Sequence, residues 1–90
     1  MSLLFESLPD ISFKTILDDP VNFEDKWIER FEKNFKAPIR LVLDTYTDSE
    51  IHYFLLIDEI IHRFVVTDVE EHGVFISVVK EPDKDPLKLN

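Results

Sequence analysis

Residues 47–62, with the sequence TDSEIHYFLLIDEIIH, are compatible with two strands or with one helix. Residues that are β-branched or aromatic are frequent between positions 51 and 57, and such residues favour strands. We therefore predict a strand at 51–57, a tight turn at Asp58-Glu59 and a further strand from Ile60 onward.

The alternative is a helix over residues 48–62. Thr47 and Glu50 have the spacing of a capping box, in which a threonine caps a helix and a glutamate three residues later bonds back to it. Asp58 and Glu59 also make a poor two-residue hairpin turn, because neither readily takes the positive φ that such a turn needs. The helix therefore stays open beside the strand interpretation.

The flanking residues predict an antiparallel sheet. Alternating apolar residues indicate a strand at 39–46. A second pair of strands is predicted at 60–70 and 74–80, joined by a turn at Glu71-His72-Gly73 in which glycine is available for positive φ. The predicted sheet has three to four strands, depending on residues 48–62.

One long amphipathic helix is predicted at residues 23–36. Its apolar stripe recurs every four residues, at Phe23, Trp27, Phe31 and Phe35. Asn22 is a suitable N-cap, and Ala37-Pro38 ends the helix. This helix is expected to pack on the sheet, which makes the fold class α+β.

The two ends of the chain are less regular. A short helix over 11–17 can begin after Pro9-Asp10 and must end before Pro20. Residues 82–90 are polar and contain two prolines, so we expect a disordered tail there. The predicted organisation is a single domain at 1–81 followed by this tail.

The composition excludes several classes of protein. The 90 residues include no cysteine, which rules out disulfides and thiolate chemistry, and one glycine, which rules out glycine-rich phosphate loops. A net charge of −9 disfavours binding to nucleic acid and to anionic membranes. We expect a cytoplasmic protein without a cofactor.

An acidic cluster is expected at one end of the sheet. Both interpretations of residues 48–62 bring the loops at 47–50 and 70–73 to the same end. The residues expected there are Asp44, Asp48, Glu50, Asp68, Glu70, Glu71 and His72. Such a cluster is compatible with solvated loops, with a contact surface for a basic protein, or with a divalent cation site.

The predicted strand at 51–57 is apolar on both of its faces. The 23–36 helix can cover one face, so the other needs residues 1–19 or another chain. We expect self-association through the uncovered side, with Tyr53, Phe54 and Leu56 as candidate contact residues.

The function expected from these features is a non-catalytic interaction module. It would be an inhibitor, an immunity-type protein or a regulator whose acidic end meets a basic partner surface. A structural homo-oligomer or accessory subunit is the alternative, and a small divalent-metal-dependent enzyme is the third candidate. No residue is singled out as catalytic, cofactor-binding or metal-binding. A Glu-x-x-His spacing at Glu59 and His62 is interpreted as a surface acid beside a partly buried histidine.

Overall fold

A computed structural model of the chain describes residues 2–80. Seven regular elements follow one another: β1 (Ser2–Leu8), α1 (Phe13–Asp18), α2 (Pro20–Phe35), β2 (Ile39–Tyr46), β3 (Glu50–Ile57), β4 (Ile60–Asp68) and β5 (Val74–Lys80). The strands form one antiparallel sheet in the order β1-β5-β4-β3-β2. The α+β class and the long helix packed on a sheet are confirmed, with five strands in place of the three to four expected.

The additional strand is β1, at the N-terminus. It pairs antiparallel with β5, so the first and last strands of the described chain lie side by side. Leu8 enters the core, whereas Glu6 points to the same side and meets Arg30 of α2 at 3.1 Å. This acid interrupts the apolar alternation that would have marked a strand.

Helix α2 begins earlier than predicted, at Pro20 instead of residue 23. Its N-cap is Asp19 and not Asn22, and the Asp19 carboxylate accepts a hydrogen bond from the Asn22 backbone N–H at 3.4 Å. Proline suits the first helical position, where its missing N–H is not needed. The helix ends at Phe35, followed by Lys36 in the left-handed conformation.

The predicted aromatic stripe of α2 forms the centre of the core. Trp27 and Phe31 are buried, and both rings meet Phe64 of β4 edge-on at 5.1 and 4.9 Å. Tyr53 of β3 stacks on the same Phe64 ring at 5.1 Å. Aromatic pairs of this kind add about 0.5–1.5 kcal/mol each beyond the area they bury, so Phe64 joins the helix to the sheet.

Residues 48–62 form strands, and the helical alternative is wrong. Asp58 and Glu59 make the two-residue turn between β3 and β4 with positive φ at both positions, 52° and 67°. The Thr47 hydroxyl does accept a hydrogen bond from the Glu50 N–H, at 3.1 Å. It does so in the loop that leads into β3, so the capping pattern serves a turn and not a helix.

The connection between β4 and β5 has a single turn of 3₁₀ helix at Glu70–His72, followed by Gly73. Gly73 has a φ of 81°, as the turn prediction required. It also lies against β1, because a Cβ there would meet the Leu8 carbonyl oxygen at 2.2 Å. The predicted strand 60–70 is shorter than expected and ends at Asp68.

Both helices lie on the same side of the sheet. Helix α1 packs against α2 and β4, and Ile16 of α1 is fully buried in the core. Residues 1–19 are one of the two predicted covers for the sheet face opposite α2. The described part of this segment instead forms an edge strand and a helix on the same face as α2. Neither helix within residues 2–80 has the length and hydropathy that crossing a bilayer requires. The expected tail at 82–90 lies outside the described residues.

Candidate interaction surface

One face of the sheet carries apolar side chains that no helix covers. We call it the open face. Its apolar members are Phe5, Val42, Phe54, Leu56, Ile61, Val65, Phe75 and Val79. None of them belongs to the buried core or to the partly buried residues that pack against it. Phe5 is 59% exposed and Val42 is 51% exposed, so the face is open to solvent.

The strand register joins these side chains into one surface. Val42 lies beside Phe54, Phe54 beside Arg63 and Arg63 beside Val79, which makes a row across four strands. The Phe5 ring stacks on the Phe75 ring with centroids 5.9 Å apart, which links the two remaining neighbours, β1 and β5. Cross-strand neighbours on one face interact directly, so this row and the Phe5–Phe75 pair together extend over all five strands.

The charged groups of the open face are paired within the chain. Arg63 donates to Asp44 at 2.6 Å, and His52 Nε2 lies 3.0 Å from a Glu50 carboxylate oxygen. At the end of the sheet, Arg40 donates to the Glu59 carboxylate at 3.3 Å. Because each acid faces a base, the open face has little net charge although the chain has a large one.

Arg63 also covers part of the apolar surface. Its guanidinium carbon lies 4.6 Å from the centre of the Phe54 ring, a cation–π arrangement. The guanidinium thus packs on Phe54 while it bonds to Asp44. A side chain held in this way presents a planar, weakly hydrated surface that is suited to burial in an interface.

The three residues predicted for self-association divide between the two faces. Phe54 and Leu56 lie on the open face, half-buried by their neighbours. Tyr53 does not belong with them, because its side chain is fully buried beneath the helices. Successive strand residues point to opposite sides, so the sequence marked both faces as apolar without showing which one the helices cover.

Burial of Tyr53 has an electrostatic consequence. Its hydroxyl and the indole N–H of Trp27 are both buried and make no hydrogen bond with residues 2–80. Burial, together with the negative charge of Glu24, raises the pKa of Tyr53 to about 12. The phenol is therefore held neutral in the core.

The acidic cluster predicted at one end of the sheet forms in part. The loops at 47–49 and 69–73 share that end, where the Asp68 N–H donates to the Ser49 carbonyl at 2.8 Å. Asp48, Glu70, Glu71 and His72 are exposed there. The grouping of the two loops therefore follows the prediction.

Three of the six predicted carboxylates have partners instead of standing free. Asp44 points to the open face and pairs with Arg63, and Glu50 pairs with His52. The Asp68 carboxylate accepts the backbone N–H of Glu70 at 2.8 Å. Arg63 is distant from Asp44 in sequence but faces it across the sheet.

No group of three or more His, Asp or Glu side chains within residues 2–80 is placed to hold a metal ion. Glu59 and His62, the Glu-x-x-His pair, have separate partners. Glu59 bonds to Arg40, whereas buried His62 places Nδ1 2.8 Å from the Ile60 carbonyl oxygen. The metal-dependent alternative gains no support from this part of the chain.

Sequence reasoning missed most of the open face. Phe75 and Val79 alternate with core residues along the predicted strand 74–80, so a signal for them was present. Phe5 could not be placed because β1 itself was not predicted.

Comparison with protein-family models, with curated sequences and with solved structures finds no match to this chain.

Proposed function

We propose that the chain is a non-catalytic protein-interaction module whose binding surface is the open face. The observation that supports this most is the set of eight apolar side chains, drawn from all five strands, on a face without a covering layer. Soluble monomers seldom expose contiguous apolar patches beyond a few hundred Å², and larger ones usually mark interaction sites.

The shape and charge of the surface favour a protein partner. Small molecules bind in concave sites that enclose them, whereas a sheet face is broad and shallow. Nucleic acid and anionic lipid are repelled by a chain of net charge −9. The open face combines apolar side chains with charged groups that are already paired within the chain, a composition compatible with a protein–protein interface.

The acidic end gives less support to a binding role than the open face does. Its carboxylates at Asp44, Glu50 and Asp68 have partners within the chain, which leaves Asp48, Glu70 and Glu71 as the exposed acids. Exposed acids are common in solvated loops. Binding of a basic partner at this end stays a prediction from the sequence.

Site-specific photo-crosslinking in living cells tests the proposal. A photoreactive phenylalanine analogue replaces Phe5, which lies on the open face and is 59% exposed. The matched control replaces Tyr46, which is 58% exposed and lies on the helix-covered side beside Ile51. We expect a crosslinked protein product from position 5 and none from position 46. Equal labelling at both positions, or none at either, would contradict an interaction surface at the open face.

A further inference from the structure

We infer that the occupant of the open face is a second copy of this chain, so that two sheets pack face to face about a two-fold axis. The inference rests on the proposed function and names the partner of the same surface. The resulting assembly has four layers, with a helix layer outside each of two sheets. The core of such an interface is built from Phe54, Leu56, Val65 and Phe75 on each side.

The size of the open face fits a stable dimer. Its five strands have 7 to 9 residues each. With strands about 4.8 Å apart and about 25 Å long, the face has a projected area of about 600 Å². The accessible area of a side-chain surface exceeds its projection, which brings it close to the roughly 800 Å² that each partner contributes to a standard interface.

The charge of the open face also suits self-association. Its pairs contain two arginines, Arg40 and Arg63, against three carboxylates, Asp44, Glu50 and Glu59. With His52 neutral these groups sum to −1, against −9 for the whole chain. A second copy therefore meets little like-charge repulsion there, and a basic partner finds little charge to attract it.

The position of the patch permits a two-fold arrangement. In an isologous dimer the same patch lies on both sides of the axis. Strand β4 is the middle strand of five, with two strands on either side. An axis near Val65 of β4 places the whole open face against its copy, with the two sheets about 10 Å apart. The interface then covers the entire face and leaves no part of it exposed.

Sedimentation equilibrium of the purified full chain tests the inference. The wild type should have twice the mass of one chain in the micromolar concentration range. Val42→Lys and Phe5→Lys place an ammonium on the open face at side chains that are already more than half exposed in the protomer, so the fold tolerates them. Each should raise the dimer Kd at least about tenfold, because an unpaired charge would have to be buried.

The control is Tyr46→Lys, which adds the same charge on the same strand as Val42 but on the other face. It should leave the dimer Kd unchanged, and far-UV circular dichroism should show that all three variants keep the fold. If the wild type stays monomeric at hundreds of micromolar, the inference that a second copy occupies the open face is wrong. It is also wrong if the wild type dimerises and neither Val42→Lys nor Phe5→Lys weakens the dimer. If position 5 then still crosslinks to a different protein in cells, the interaction surface stands and only its partner changes.

Discussion

The Arg63 guanidinium and the Asp44 carboxylate form a 2.6 Å hydrogen-bonded ion pair that spans strand β3 on the open face. The two residues are 19 positions apart in sequence and belong to β4 and β2. Phe54 lies under the guanidinium between them. This arginine and this acid thus neutralise each other on the open face before any partner binds.

Asp44→Asn should have different effects on the stability of the protomer and on the affinity of the dimer. In the protomer the Arg63 and Asp44 side chains are 28% and 34% exposed, so losing the pair should cost less than about 1 kcal/mol of unfolding free energy. In the dimer the pair is shielded from water, and its loss should raise the dimer Kd about tenfold or more. Sedimentation measures the Kd. Asp48→Asn, an exposed acid with the same charge change, is the control, and equal effects of both variants would contradict burial of the pair.

Glu59→Gly should stabilise the fold by about 1 kcal/mol. Glu59 has a φ of 67°, which glycine takes without the penalty that a side chain incurs. The lost ion pair with Arg40 is about two-thirds exposed on both sides and contributes little. Urea unfolding at matched protein concentration measures the change. Glu71→Gly, in the 3₁₀ turn without positive φ, should be neutral or destabilising, and the same gain there would rule out backbone strain as the cause.

Gly73→Ala should destabilise the fold by about 2–4 kcal/mol. Its Cβ would meet the Leu8 carbonyl oxygen at 2.2 Å and the Pro9 Cα at 2.6 Å, both of them backbone atoms that cannot move freely. Gly73 has a φ of 81° and a ψ of −131°, outside the left-handed helical region that asparagine tolerates, so Gly73→Asn should be destabilised as well. Thermal unfolding should show that both variants lose stability to a similar extent. Wild-type stability in either variant would contradict the requirement for glycine at this position.

The free energy of unfolding should fall as pH rises from 10 to about 12, because Tyr53 ionises less readily in the folded state. Its pKa is raised from 10.0 to about 12, so the stabilisation is fully present below pH 10 and is lost as the pH passes through the folded value. Two pH units correspond to about 3 kcal/mol. Tyr53→Phe removes the titrating group and serves as the reference. Unfolding curves at pH 8 and 11 should show a smaller alkaline loss in this variant, and parallel losses would contradict a buried neutral phenol.

Local periodicity predicted the central elements of this fold. The four-residue aromatic spacing of α2 and the alternation in β2 to β5 are repeated signals within one segment. The start of α2 was harder to locate because Asp19 and Asn22 are equally good caps. Pro20 both stops α1 and opens α2, and the sequence prediction used only the first of these roles. A proline between two helices can end the first helix and also begin the second. The local sequence alone does not show that both occur.

Long-range pairing explains what the sequence could not show. Strand β1 pairs with β5, about 70 positions away, and its Glu6, on the core side of the strand, is paired with Arg30 of α2. In the same way, the pairing of Asp44 with Arg63 across β3 depends on the strand order of the sheet and could not be predicted from the local sequence. The choice between Tyr53 and Phe54 as surface residues also depends on which face the helices cover, which alternation alone leaves open.

Burial of the open face by a second copy is tested most directly by cysteine accessibility, since the chain has no native cysteine. Val42→Cys places a thiol on the open face, and Val21→Cys places one on the exposed surface of α2, where the native side chain is 70% exposed. The rate at which a small maleimide alkylates each thiol is measured. Unlabelled wild-type protein is added in increasing amounts to raise the total protein concentration. The rate at position 42 should fall as the dimer forms while the rate at position 21 stays constant. Constant rates at both positions up to hundreds of micromolar would contradict the face-to-face dimer.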